Sequence, residues 1–247
     1  MKFRDYQLDI IDKGCKVLKN KGLLYLSMEV RTGKTLTSMG ICEGLNVNSV
    51  LFITKKKAIS SITADYAMYS PSFKIEVINY ESLHKIEMTS PDVIICDEAH
   101  SMGAFAKANK RAKMVKDLIS KSRCKLILMS GTPTPESFSQ MYHQVFGHPN
   151  NPFRSYKNFY TFAKDHVNVS TKKINSMWIN DYSNGRDSII NLMKPYTISY
   201  SQVEAGFKVK TTEEILDVKM HPQTYILADR LKKHLVVEGK DEVSLSL

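Results

Sequence analysis

Short apolar runs recur along the first half of the chain, at residues 23–28, 50–54, 75–79, 93–96 and 126–129, with polar or amphipathic stretches between them. Runs this short that stay largely apolar, as 93–96 and 126–129 do throughout, suit strands covered on both faces, the pattern of a parallel sheet between two layers of helices. The expected order is β-α-β, without internal repeats or low-complexity linkers. Gly40-Ile41-Cys42-Glu43-Gly44 is expected to interrupt the helix after the first strand. From residue 133 to 195 the texture becomes aromatic and Asn-rich, with Phe153, Tyr156, Phe159, Tyr160, Phe162 and Trp178. That predicts an inserted or protruding helical piece at about 135–195, its aromatic stripe serving as core. Residues 201–247 read as mixed, with a strand and a helix around 218–225.

A chain of 247 residues with 43% hydrophobic content buries enough surface for one principal α/β domain, which excludes the disordered and fibrous classes. Cys15, Cys42, Cys96 and Cys124 are widely spaced and form no paired metal signature, so they read as reduced packing residues. No secretory segment opens the sequence, and no apolar run approaches the roughly 18 residues of a membrane helix. A soluble cytoplasmic protein without a membrane partner is expected.

The formal charge of +10 directs attention to nucleic acid, because lysine and arginine contacts to phosphate supply most sequence-independent affinity. Lys55-Lys56-Lys57 follow one predicted strand and fit contacts to a duplex backbone, with Lys55 and Lys57 as the candidates. Lys107, Lys110, Arg111 and Lys113 form a second cluster that reads equally well as a solvated helix face.

The chemistry concentrates after the apolar runs. Val30-Arg31-Thr32-Gly33-Lys34-Thr35 reads as a phosphate-binding loop: backbone amides face phosphate oxygens, Lys34 reaches the β and γ phosphates, and the Thr35 hydroxyl ligates magnesium. Met28 and Arg31 stand where such loops often carry glycine, and Gly-Lys-Thr also occurs as a turn opening an ordinary helix. A β-carbon at Arg31 resists positive φ, so the loop either avoids that conformation or uses the guanidinium, with a structural role favoured. Asp97-Glu98-Ala99-His100 leaves the run at 93–96, and in an open α/β sheet such a strand end is where ligands bind. Asp97 is then placed to hold magnesium and Glu98 to activate water. Ser130-Gly131-Thr132-Pro133 leaves the next run, delivering hydroxyls to the same edge. Near the start, Gln7 is placed to pair with an adenine edge, with Arg4 or Tyr6 stacking on it.

Taken together, Arg4-Asp5-Tyr6-Gln7, Gly33-Lys34-Thr35, Asp97 to His100 and Ser130 to Pro133 resemble, in order, the glutamine motif and motifs I, II and III of superfamily-two helicases. The similarity is to the N-terminal RecA-like lobe of the Swi/Snf-type remodelling and translocating ATPases, and it covers residues 1 to 145. Leu51-Phe52-Ile53-Thr54-Lys55 is similar to motif Ia and Ile78-Asn79-Tyr80-Glu81-Ser82-Leu83 to the segment around motif Ib. Both touch nucleic-acid backbone in relatives, which adds Tyr80 to the candidates. The resemblance also implies that His100 bridges the hydrolysis site to motif III through Ser130 and Thr132.

The resulting expectation is a three-layer RecA-like P-loop domain with a mainly parallel sheet and a small helical protrusion. Residues 1–200 form the ATP-binding lobe, and 201–247 a linker or the start of a second lobe. The ATP site would draw on Arg4, Gln7, Thr32, Gly33, Lys34 and Thr35, magnesium on Thr35 and Asp97, and catalysis on Lys34, Asp97 and Glu98. The partners would be nucleic acid, most simply double-stranded DNA, and a second RecA-like lobe supplied by a longer chain or a partner. An arginine finger is worth about three to five decades of turnover, so a first lobe alone is expected to hydrolyse ATP weakly. Other readings stay open: the motor of a restriction system, a nucleotide-gated binding module, or an unrelated phosphate-loop kinase.

Overall fold

A computed structural model describes residues 2–88, 90–174, 177–207, 218–234, 236–238 and 244–246. The chain divides into two compact units, Met1–Ser170 with Asn180–Phe207, and Thr171–Ile179 with Lys208–Leu247.

In the first unit the chain runs α1 (Asp5–Lys21), β1 (Leu23–Met28), α2 (Lys34–Gly44), β2 (Ser49–Thr54), α3 (Ile59–Tyr69), β3 (Lys74–Asn79), β4 (Val93–Cys96), α4 (Lys110–Ser122), β5 (Lys125–Ser130), α5 (Met141–Val145) and α6 (Phe159–His166). After the hairpin strands β6 (Ser170–Ile174) and β7 (Met177–Asp181), most of which belong to the second unit, come α7 (Ser188–Met193) and β8 (Thr197–Tyr200). Six strands form one sheet in the order β3-β2-β4-β5-β1-β8, and every pairing is parallel.

The alternation of side chains along a strand explains the continuous apolar runs. Leu23 and Tyr25 share one face with Leu51, Ile53, Ile94, Cys96, Leu126 and Leu128, under Val115 and Ile119 of α4 and the α5–α7 region. Leu24, Leu26 and Met28 share the other with Val50, Phe52, Ile95 and Ile127, under α1, α2 and α3. Three layers result. Of the aromatic stripe, Phe153, Phe159 and Phe162 are core, and the Tyr142 and Phe162 rings stand 4.7 Å apart, whereas Tyr160 and Trp178, also expected in the core, are exposed at 48% and 70%. Residues 135–195 thus pack helices on the sheet and also carry the β6–β7 hairpin.

Contrary to expectation, residues 40–44 do not interrupt α2. A β-carbon on Gly40 would lie 2.5 Å from Ile11 Cδ1, and one on Gly14 would lie 2.5 Å from Ile41 Cδ1. These glycines let α1 and α2 approach closely, so they mark a packing contact and the hydrogen-bonded helix continues past them.

The second unit contains α8 (Pro222–His234) and an antiparallel pair, β9 (Val236–Glu238) and β10 (Ser244–Ser246). The strand expected around 218–220 is absent there, and the helix begins at Pro222. Of the expected linker at 201–247, residues 208–217, 235, 239–243 and 247 lie outside the described residues. Among the described residues no helix is long and apolar enough to cross a membrane.

Candidate nucleotide site

Strand order brings the candidate residues together. Reading across the carboxyl edge, β2 ends at Thr54 and Lys55, β4 at Asp97 and Glu98, β5 at Ser130, β1 at the loop 29–34, and β8 at Gln202.

The loop after β1 has the shape of an anion cradle. Arg31 and Gly33 both adopt left-handed backbone, with φ of 64° and 79°, and α2 opens at Lys34. Arg31 therefore does not avoid positive φ; its β-carbon is tolerated because the loop is held at several points, while its side chain is exposed. Buried Thr32 donates its hydroxyl to the Glu29 carbonyl at 2.7 Å, and Lys34 Nζ donates to the same oxygen at 3.1 Å. Partial burial pulls the Lys34 ammonium below the ordinary lysine range, opposed by the negative charges of Asp97 and Glu98. An ammonium so placed gains from an arriving phosphate.

Asp97 accepts a hydrogen bond from the Thr54 hydroxyl at 2.8 Å. Burial raises its carboxyl above the usual range, Thr54 opposes the rise and neighbouring Glu98 adds to it, so a cation beside it would relieve the strain of its charge. Glu98 has left-handed backbone, φ 51°, which turns its side chain back over the edge. Its Oε1 lies 3.6 Å from Lys55 Nζ and its Oε2 3.3 Å from His100 Nδ1. His100 Nδ1 also meets Ser130 Oγ at 2.9 Å, and Ser130 Oγ accepts from the Thr132 amide at 3.1 Å. Glu98, His100, Ser130 and Thr132 thus form one line of polar neighbours.

A cleft of about 410 Å³ opens between these parts, lined by Glu29, Val30, Lys34, Glu98, His100, Gly131, Thr132 and Gln202. Among the described residues no group of three or more His, Cys, Asp or Glu gathers to hold a metal by itself. Of the expected magnesium ligands, Asp97 directly follows β4 and Thr35 lies in the first turn of α2.

Two expectations change. Gln7 is buried and occupied: its side-chain oxygen accepts from the Arg4 amide at 3.0 Å, and its amide nitrogen reaches Thr37 Oγ1 at 3.3 Å and the Gly33 carbonyl at 3.5 Å. It ties α1 to the phosphate loop, and Arg4 lies exposed 6.0 Å from the Tyr6 ring. Tyr6 in turn stacks on Tyr200 at 4.6 Å and donates to the Thr32 carbonyl at 3.1 Å. The second change is a correction. Tyr80, expected on nucleic acid, is 1% exposed and donates its hydroxyl to the Asp97 carbonyl at 2.7 Å. Its ring belongs to the core, because the residue after β3 turns inward under the acid loop. Lys55, Lys56 and Lys57 remain exposed, whereas Arg111 of the second basic cluster is paired with Glu81 at 2.5 Å.

Sequence reasoning passed over Thr54, Glu29, Tyr200 and Gln202. Thr54 carried a faint signal as the polar end of an apolar run. Gln202 carried none: its backbone amide donates to Glu29 Oε2 and its side-chain amide to the Val30 carbonyl, both at 2.8 Å. That contact exists because β8, far away in sequence, lies beside β1.

The Sulfolobus solfataricus SWI2/SNF2 ATPase core in complex with dsDNA is similar in fold, with a TM-score of 0.64 at 14% identity over 83% of this chain. The chain spans 46% of that protein's length. The Pyrococcus furiosus Hef helicase domain matches at a TM-score of 0.47 and 15% identity, over 69% of this chain and 41% of that one. No curated protein matches the chain. The sequence model of the SNF2-related domain matches residues 29–238, from the phosphate loop through β9, and the chain therefore belongs to the SNF2-related domain family.

Proposed function

We infer that this chain is the nucleotide-binding lobe of a nucleic-acid-dependent ATPase, acting on double-stranded DNA together with a second lobe. The observation that carries the reading is the single cleft shared by Lys34, Glu98, His100 and Thr132, which come from the ends of β1, β4 and β5. ATP supplies the phosphoanhydride to be cleaved and magnesium supplies charge neutralisation. The chain's own residues divide the remaining work. The amides at the start of α2, with Thr32, Gly33 and Lys34, hold the phosphates. Thr35 and Asp97 hold the metal, and Glu98 orients and deprotonates the attacking water. His100, Ser130 and Thr132 report the state of the site to the next loop. Arg4 offers a cationic plane beside the Tyr6–Tyr200 stack for the adenine, whereas Gln7 secures the loop beneath it.

Lys55 and Lys57 are the proposed duplex contacts, since both are exposed at the same carboxyl edge. Likeness in fold to a DNA-bound SWI2/SNF2 core supports a duplex as partner, as does the formal charge of +10.

The deciding experiment is ATP turnover across a duplex-DNA titration, with Glu98→Gln as the control and equilibrium ATP binding measured alongside. Turnover stimulated by DNA and lost in Glu98→Gln is the expected result when a second lobe is present. ATP binding without turnover for the chain alone would favour a nucleotide-gated binding module or a lobe awaiting its partner. Absence of ATP binding would end the reading.

A further inference from the structure

Lys55 stands between two functions. It is the first residue after β2, half exposed, and it leads the basic run through Lys57; its ammonium is also 3.6 Å from Glu98 Oε1. The other Glu98 oxygen faces His100 at 3.3 Å. Glu98 therefore has Lys55 on one side and, on the other, the histidine that meets Ser130. A lysine paired with a carboxylate restricts where it points, and that opposes its use on water. The same lysine opens the exposed basic run 55–57, so a nucleic-acid phosphate arriving at the edge competes with Glu98 for it.

We propose that Lys55 gates Glu98: paired with the carboxylate it keeps the site idle, and when a duplex phosphate takes the ammonium it frees Glu98 to act on water. This rests on the reading of the chain as a DNA-dependent ATPase lobe. The energetics suit a switch. A half-exposed lysine–glutamate pair is weak enough for a phosphate in a polyanion to displace. A deeply buried pair at this position would lock the site.

Coupling of this kind is reciprocal, so it is readable in DNA affinity without nucleotide or turnover. Duplex binding would be measured by fluorescence anisotropy at low salt for the whole chain and for Glu98→Gln, Lys55→Ala and the double variant. Removing the Glu98 charge should tighten binding about three- to fivefold when Lys55 is present, the range a pair of this exposure can supply. In the Lys55→Ala background the same change should have almost no effect, which separates release of Lys55 from general repulsion by Glu98. Lys55→Arg should restore the coupling, and raised salt should shrink it. DNA-free turnover, measured with the second lobe supplied, should rise in Lys55→Ala, whereas a lysine that only touches DNA would leave it unchanged. An equal effect of Glu98→Gln in both backgrounds would overturn the gate while leaving the ATPase reading intact. Failure of every form to bind duplex DNA would overturn both.

Discussion

The hydroxyl of Tyr80 donates to the carbonyl oxygen of Asp97 at 2.7 Å, so a buried ring beneath the sheet edge fixes the backbone of the acid pair. Tyr80→Phe keeps the ring and leaves that carbonyl without this donor. Stability should fall by about 1 kcal/mol, the net value of one buried hydrogen bond, and turnover should fall several-fold while duplex affinity stays the same. Thermal unfolding and anisotropy would check this. A loss of duplex affinity greater than the loss of turnover would return Tyr80 to the DNA surface.

Arg31 holds left-handed backbone with φ 64° in the phosphate loop. Glycine there removes steric strain of about 1–2 kcal/mol but adds an unfolded-state entropy cost of about 0.5–1 kcal/mol, so Arg31→Gly should leave stability equal or slightly higher. ATP affinity should stay within about threefold, a change of under 1 kcal/mol. Calorimetric titration showing a tenfold weaker Kd would mean that the guanidinium contacts phosphate.

Asp97 and Lys34 are both held against their ordinary protonation, the carboxyl raised and the ammonium lowered, chiefly by burial. A raised carboxyl contributes stability only at low pH and loses it as pH climbs through the raised value. A lowered lysine contributes only at high pH and loses it as pH drops through the lowered value. At neutral pH both ionised groups therefore cost stability. Asp97→Asn and Lys34→Met should each raise Tm while abolishing turnover, with the smaller rise at half-buried Lys34, whose charge is partly screened by solvent. ATP affinity of the unaltered chain should also decline on the alkaline side below the ordinary lysine range. Lower Tm in both variants would show that the charges stabilise the empty fold.

Gln202 donates its side-chain amide to the Val30 carbonyl at 2.8 Å, tying the exit from β8 to the phosphate loop. Gln202→Ala should weaken ATP binding about two- to fivefold, in line with one net hydrogen bond, with little change in Tm because the residue is only half-buried. Unchanged ATP affinity would mean that the loop is set by Thr32 and Gln7 alone.

The apolar runs by themselves determined the parallel sheet, since a strand covered on both faces must be apolar at every position and few other folds need that. β4 begins and ends where its run does, at Val93 and Cys96. The local spacing of Gly33, Lys34 and Thr35, and of Asp97, Glu98 and His100, likewise marked phosphate and metal chemistry, because those side chains act from one loop each. Residues whose role depends on a neighbour distant in sequence were not legible. Gly40 looked like a helix break until α1 was seen against it, and Tyr80 looked like a surface contact until its ring was seen inside the sheet layer. Strand order made the remaining choices. Placing β2 beside β4 brought Thr54 to Asp97 and Lys55 to Glu98, and placing β8 beside β1 brought Gln202 to the loop. Hydrophobic periodicity specifies that a strand is buried but says nothing of which strand lies next to it, so only the tertiary structure could pair those residues.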